Sequence, residues 1–179
     1  MMVLMSVLSS QLAKSNMKHI TIKGANYSNN IKRIRYASRA IIIKDDMILT
    51  SHEEVTNQYM LPGGGREMGE SDRHCVIRET MEETGLIIKP SRCLLEINEL
   101  YEDVSYISRY YLGEIVGTCE RYLTEREKEV NMNPKWIKID ELIKIFSTHN
   151  DYKDTDEMRR GLYLRELTAL NKILKKADK

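Results

Sequence analysis

Apolar and polar positions along this chain repeat with two different periods. Residues 36–44 and 47–51 are short apolar runs rich in β-branched side chains, separated by Asp45-Asp46. They predict two strands joined by a turn. Residues 19–23, 86–88, 92–100, 105–116 and 136–139 also read as extended. Between 58 and 65 the run Pro62-Gly63-Gly64-Gly65 punctuates the chain strongly. A 3.6-residue period takes over in residues 71–84, where Val76, Ile77, Thr80, Met81 and Thr84 fall on one arc. Ser71 is placed to cap that helix, and Gly85 suits the left-handed position after it. A second helix is predicted over about 140–147 and a third over about 157–176. Met158, Leu162, Ala169, Leu170, Ile173 and Leu174 share one face of the third, so it should pack on the body. Residues 24–33 read as a turn-rich connection and 118–134 as a charged loop. Strands and helices mixed in this order indicate an α/β or α+β layered domain.

Composition narrows the picture. A length of 179 residues favours one domain. Hydrophobic residues make up 41% and charged residues 31%, a globular balance. Lys and Arg number 28 against 27 Asp and Glu, which argues against a nucleic-acid polymer as partner. Apolar runs stay short of the 18 or so residues of a membrane span, so no membrane association is expected. Cys75, Cys93 and Cys119 form no C-x-x-C pair and read as reduced thiols in a cytoplasmic setting. The four histidines are scattered, away from metal-ligand spacing. The opening 1–16 is apolar and short. It reads either as a helix docking on the body or as a start placed upstream of Met17.

The helix over 71–84 carries an acidic arc beside its apolar one. Glu79 and Glu83 are four residues apart, and Glu79 and Glu82 three. Like charges at those spacings destabilise a helix by about 0.2–0.5 kcal/mol per pair. The helix C-terminus, where two of them lie, is also the wrong end for the macrodipole. Arg78 is one compensating partner. A hard divalent cation is a better one, with Glu70 as a fourth carboxylate. Metal, carboxylates and a glycine loop together suit phosphate chemistry. A solvated acidic face accounts for the clustering equally well.

Spacing separates those readings. Gly64, five residues, Glu70, seven residues, then Arg78-Glu79-Thr80-Met81-Glu82-Glu83-Thr84-Gly85-Leu86 resembles the Nudix box, G-x5-E-x7-R-E-U-x-E-E-x-G-U, where U is a bulky aliphatic residue. All seven fixed identities match. Chance agreement at a given start is about one in 10⁸ when common residues occur at roughly 7% each. Thr80 at a U position is the single departure. Tyr59-Met60-Leu61-Pro62-Gly63-Gly64 is similar to the family's entry into the box, and Trp136–Leu142 to its closing strand and helix. The resemblance covers about residues 36–147.

The resemblance implies an α/β/α sandwich around a mixed β-sheet. Residues 34–149 would form the Nudix domain, after an N-terminal extension (1–33) and before a C-terminal amphipathic helix (150–179). It implies hydrolysis of a nucleoside diphosphate linked to another moiety, with Mg²⁺ or Mn²⁺ as cofactor. Glu79, Glu82, Glu83 and Glu70 would be the metal carboxylates, with Arg78 orienting them. Gly63, Gly64, Gly65 and Tyr59 would shape the phosphate and substrate loop. The general base is expected among Glu125, Glu127 and Glu129, with Glu127 first, or is Glu79 itself. Tyr59, Tyr101, Tyr106, Tyr110 and Tyr111 are candidate base-stacking residues. The implied partner is a small nucleotide substrate, and a homodimer is plausible. A non-catalytic module sensing a nucleotide metabolite is the competing function.

Overall fold

A computed structural model describes residues 17–174 of the chain. The reading of residues 1–16 as a docked helix lies outside them, as does the end of the last helix beyond residue 174. The strands in chain order are β1 (Lys18–Lys23), β2 (Arg33–Ile41), β3 (Ile43–Lys44), β4 (Met47–Glu53), β5 (Gln58–Met60), β6 (Gly63–Gly65), β7 (Leu86–Pro90), β8 (Leu95–Tyr101), β9 (Val104–Thr118) and β10 (Met132–Lys138). The helices are α1 (Asp72–Thr84), α2 (Glu125–Glu129), α3 (Ile139–Ser147) and α4 (Glu157–Leu174), with a 3₁₀ turn Thr148–Tyr152 after α3.

A six-stranded mixed sheet runs β1-β8-β9-β2-β6, and β7 pairs with the far half of β9. Parallel pairing joins β2 to β9 and β1 to β8. A smaller antiparallel sheet holds β10, β4 and β3, with β5 also on β4. Alternation along β2 sends side chains to two cores. Ile41 joins Ile97, Tyr110, Leu142, Phe146 and Leu170 beneath α3 and α4. Ala40 and Ile42 join Leu49, Val76, Ile88 and Tyr111 beneath α1. Helices therefore cover both faces, in a mixed α/β arrangement.

Local signals set the frame of α1. Ser71 accepts the N–H of His74 at 3.2 Å, and Gly85 takes φ 73° after the last turn. The charged stretch 118–134 is not wholly loop, because Thr124 and Glu127 close a capping box that starts α2. Helix α4 packs on the core through Leu162, Ala169, Leu170, Ile173 and Leu174 as expected, and departs from its apolar face only at Met158. Met158 is 88% exposed, whereas Tyr163, Arg165 and Glu166 are buried. Its first turn overhangs a cavity, and an ion cluster interrupts the stripe further along. Arg165 donates to Glu99 at 3.1 Å and to Glu166 at 2.8 Å. Arg39 on β2 pairs with the same Glu166 at 3.5 Å, and Tyr110 donates to it at 3.2 Å.

Strand β1 lies outside the box resemblance, yet it continues the sheet. Besides its ladder, His19 meets Glu96 at 3.0 Å, and Arg109 donates to the other oxygen of that carboxylate at 2.8 Å. Burial pushes the Glu96 carboxyl up, but Arg109 and His19 outweigh it and hold it below its ordinary 4.5. A depressed folded pKa gives stability that is present above about pH 4.5 and is lost as pH falls through the folded value. The acid limb of the unfolding free energy against pH should therefore flatten in Glu96→Gln, as urea titrations between pH 3 and 7 would measure. The buried cluster gives a larger effect. Glu166→Ala strands Arg39 and Arg165 without their shared carboxylate and should lower the unfolding free energy by about 3–5 kcal/mol, read from urea midpoints at constant slope.

Candidate functional site

The glycine strand β6 pairs antiparallel with β2 through Ala37, Ser38 and Arg39 and leads directly toward α1. Gly63 has φ 143°, and a Cβ there would overlap the Ser38 carbonyl and the Arg39 backbone. A Cβ on Gly64 would overlap the Glu79 carboxylate. Gly63 admits only glycine, because its φ and the adjoining β2 backbone exclude a Cβ, whereas a side chain at Gly64 would displace the Glu79 carboxylate from its place.

Arg78 gathers three of the acidic side chains. Its Nε and Nη2 donate to Glu70 at 2.9 and 3.0 Å, and its Nη1 to Glu79 at 2.8 Å and Glu82 at 3.0 Å. Nη2 also reaches the Gly65 carbonyl at 3.0 Å. The hydrogen bonds it donates to Glu70, with the nearby Glu79 charge, hold the guanidinium charged far above its ordinary value. Arg78 in turn draws the Glu70 carboxyl down. Glu79 goes the other way, because its burial outweighs the attraction of Arg78.

Glu83 stands apart from this group. It is 3% exposed, and its Oε2 accepts the Ser51 hydroxyl at 2.5 Å and the Gly63 N–H at 3.1 Å. Burial pushes its carboxyl up to about 8 despite those two donors. The acidic arc thus divides into a partly buried group around Arg78 and one fully buried carboxyl group beneath the glycine strand.

A cleft of about 580 Å³ opens over Gly64, Arg78, Glu79, Glu82 and Glu83. Its opposite wall comes from the 122–127 segment and includes Tyr122, Arg126 and Glu127. Glu127 thereby lines the same cleft as Glu79, Glu82 and Glu83, while its Oε2 accepts the Thr124 N–H at 2.7 Å. Tyr59 is not among the lining residues. It is buried on β5, stacked on His52 with ring centroids 4.1 Å apart, and its hydroxyl accepts Lys135 Nζ at 2.7 Å. Tyr110 and Tyr111 are likewise core residues. Sequence reasoning missed Ser51, Arg39 and Tyr122. The first two act from strands distant in sequence from the box, and Tyr122 is an 83%-exposed aromatic in a stretch that has no periodicity.

The donor set suits a hard divalent cation. Four carboxylates supply only oxygen ligands, and they outnumber the single arginine that touches three of them. Among the described residues, no three His, Cys, Asp or Glu side chains already converge at metal-binding distance. Arg78 lies among the carboxylates and offsets part of their charge.

Comparisons with known proteins agree with this arrangement. The family model of the NUDIX domain matches residues 33–159. A human diphosphoinositol polyphosphate phosphohydrolase is 32% identical over 108 residues, covering 59% of this chain and 57% of the relative. Human diphosphoinositol polyphosphate phosphohydrolase 3-alpha is 30% identical over 106 residues, covering 59% and 63%. The matched segment thus spans little more than half the length of these curated relatives. Among solved structures, a NUDIX hydrolase from Nitrosomonas europaea superposes with TM-score 0.54 at 20% identity, covering 75% of this chain and 88% of that one. The E. coli ORF135 protein superposes with TM-score 0.52 at 16% identity, covering 78% and 91%. At those identities the two structures speak for the fold, while the domain match takes in the glycine strand, the acidic helix and the facing wall together. The chain belongs to the Nudix family.

Proposed function

We propose that this protein hydrolyses a phosphoanhydride bond in a nucleoside diphosphate linked to a second group, with Mg²⁺ or Mn²⁺ as cofactor. The observation that carries this reading is Arg78 holding Glu79 and Glu82 on the wall of one cleft beside the glycine strand, with Glu70 bound to the same guanidinium outside the cleft lining. Glu79, Glu82 and Glu70 would hold the cation, with Glu83 beneath them. A bound divalent ion there supplies Lewis-acid polarisation of phosphoryl oxygens and a more acidic water. Arg78 keeps the carboxylates aligned through charge-assisted hydrogen bonds. Gly63, Gly64 and Gly65 let backbone pass close beneath the bound phosphates. Glu127, across the cleft, takes the proton of the attacking water.

The relatives are named for diphosphoinositol polyphosphates, which are more densely charged substrates. The cleft's arginines favour a substrate with fewer phosphates. Arg78 is held by three glutamates, Arg126 by Glu53 at 3.0 Å, and Arg39 by two backbone carbonyls and Glu166. Gripping many phosphates would require several of these contacts to be given up.

Purified protein with Mg²⁺ or Mn²⁺ should release phosphate, through a coupled phosphatase, from at least one of ADP-ribose, a diadenosine polyphosphate or a nucleotide sugar. EDTA should abolish that turnover. Exclusive turnover of a diphosphoinositol polyphosphate would move the substrate class. Binding without turnover across the panel would favour a sensing module. Glu79→Gln and Glu82→Gln should each lower kcat by about 10²-fold or more, since each removes charge from the proposed metal set.

Glu127→Gln isolates the base. Glutamine also serves the third position of a capping box, so α2 should persist while the proton acceptor is lost. The expected fall in kcat is roughly 10²–10⁴-fold with unchanged thermal stability. Unaltered kcat would pass the role to another carboxylate.

A further inference from the structure

Helix α2 (Glu125–Glu129) contributes to the wall of the carboxylate cleft without a buried residue of its own. Isolated helices shorter than about 12–15 residues are marginal in water. Five residues with no apolar face therefore keep their place neither by propensity nor by packing. The capping box of Thr124 and Glu127 closes the first turn from within. It fixes the shape of the turn, not its place on the fold.

Backbone pairs anchor the segment at both ends. Before α2, the Tyr122 N–H donates to the Glu82 carbonyl at 3.0 Å, on the last turn of α1. After α2, the Val55 N–H donates to the Val130 carbonyl at 3.2 Å and the Glu54 N–H to the Asn131 carbonyl at 3.4 Å, which prolongs the pairing of β4 with β10. Between those anchors, among the described residues, one hydrogen bond joins the segment to another element. Arg126 Nη2 donates to Glu53 at 3.0 Å.

The two partners in that bond are unlike. Glu53 ends β4 and is only 1% exposed. Its other oxygen accepts the Thr56 hydroxyl at 2.8 Å, within the same hairpin. The Arg126 side chain is 68% exposed and reaches in from solvent. An ion pair between two exposed groups would hold little. Here one charge is buried, and a buried charge without its partner is strongly unfavourable. Two residues before Glu53, on the same face of β4, Ser51 holds Glu83. One strand thus fastens both walls of the cleft, α1 through Ser51 and α2 through Glu53.

We infer that Glu53 is a positioning residue, which through Arg126 holds α2 against β4 and so places Glu127 on the cleft wall. The inference rests on the reading of Glu127 as proton acceptor given above. Glu53 is not among the residues that line the cleft, whereas Arg126 and Glu127 are. It therefore acts through them and not on the substrate. A misplacement of about 1 Å in a reacting group can cost 10²-fold in rate. A loosened α2 would be felt at the reaction although no reacting group had been removed.

Hydrogen exchange over residues 123–131, read by mass spectrometry on the metal-free protein, tests the tether without turnover. Glu53→Gln keeps the shape of the side chain and removes its charge. Arg126→Met removes the donors of the exposed partner and keeps the test open should Glu53→Gln fold poorly. Each should speed exchange in that segment about tenfold and leave peptides of α1 and α4 unchanged. With Mg²⁺ and a hydrolysed substrate, each should lower kcat about tenfold while KM stays within about twofold of wild type. Arg126→Lys keeps a donor and the charge and should restore most of both. In a Glu127→Gln background, Glu53→Gln should cost no further kcat, because the two act as one unit. Unaltered exchange in both variants overturns the inference. So does faster exchange with unaltered kcat. A rise in KM alone overturns it too, since Arg126 would then bind substrate. Full additivity of Glu53→Gln with Glu127→Gln does the same, because Glu53 would then act elsewhere. Wild-type protein that turns over no substrate would sink the hydrolase reading, and faster exchange in both variants would leave the tether standing.

Discussion

Three carboxylates on neighbouring turns and the loop before them repel one another, and the Arg78 guanidinium lets Glu70, Glu79 and Glu82 remain together. Its fork reaches all three because they approach it from different directions: Glu70 from the loop, Glu79 from the adjacent position, and Glu82 from the next turn. That geometry constrains the rest of the site. Glu79 can turn toward Arg78 only because Gly64 has no Cβ beneath it. Gly63 can in turn present its N–H to Glu83 only because its φ of 143° is open to glycine. Pairing of β6 with β2 fixes where those glycines stand. The carboxylate cluster is thus a property of sheet register as much as of helix spacing.

A second electrostatic centre lies on the other face of the sheet. Arg39, Arg165, Glu99 and Glu166 form a buried, formally neutral group beneath α4. Burying such a group is seldom the most stable solution for a core. Hydrophobic replacements of similar volume would serve packing as well, so stability alone is a weak reason for it.

What was legible in the sequence is what depends on near neighbours. Helix α1, its Ser71 cap, its Gly85 stop and the box spacing all follow from residues within about two dozen positions. The two-sheet division was not legible. It depends on β4 pairing with β10 across some 80 residues, and no local pattern encodes that choice. Tyr59 illustrates the same limit. Its place beside the box suggested the loop, but cross-strand stacking on His52 holds it in the core. Met158 fits the helical stripe of α4 by angle, yet the stripe meets a cavity there instead of a packed surface. Periodicity says which residues share a face, and only the tertiary arrangement says what that face meets.

Net charge is the plainest case of an average concealing an arrangement. Across the chain, 28 positive groups nearly cancel 27 negative ones. Within residues 64–86 the balance is six acids to three arginines. A phosphate approaching that surface meets net negative charge, which a bound cation would offset. Arg39 is tied to the innermost of those acids through the glycine strand. Its Nη1 donates to the Gly63 carbonyl at 3.1 Å, the Gly63 N–H holds Glu83, and Glu83 is fastened to Ser51. One arginine on the central sheet thus touches, through one peptide unit, the carboxylate buried beneath the glycine strand, so that the site's innermost acid is held by sheet residues as well as by its own helix.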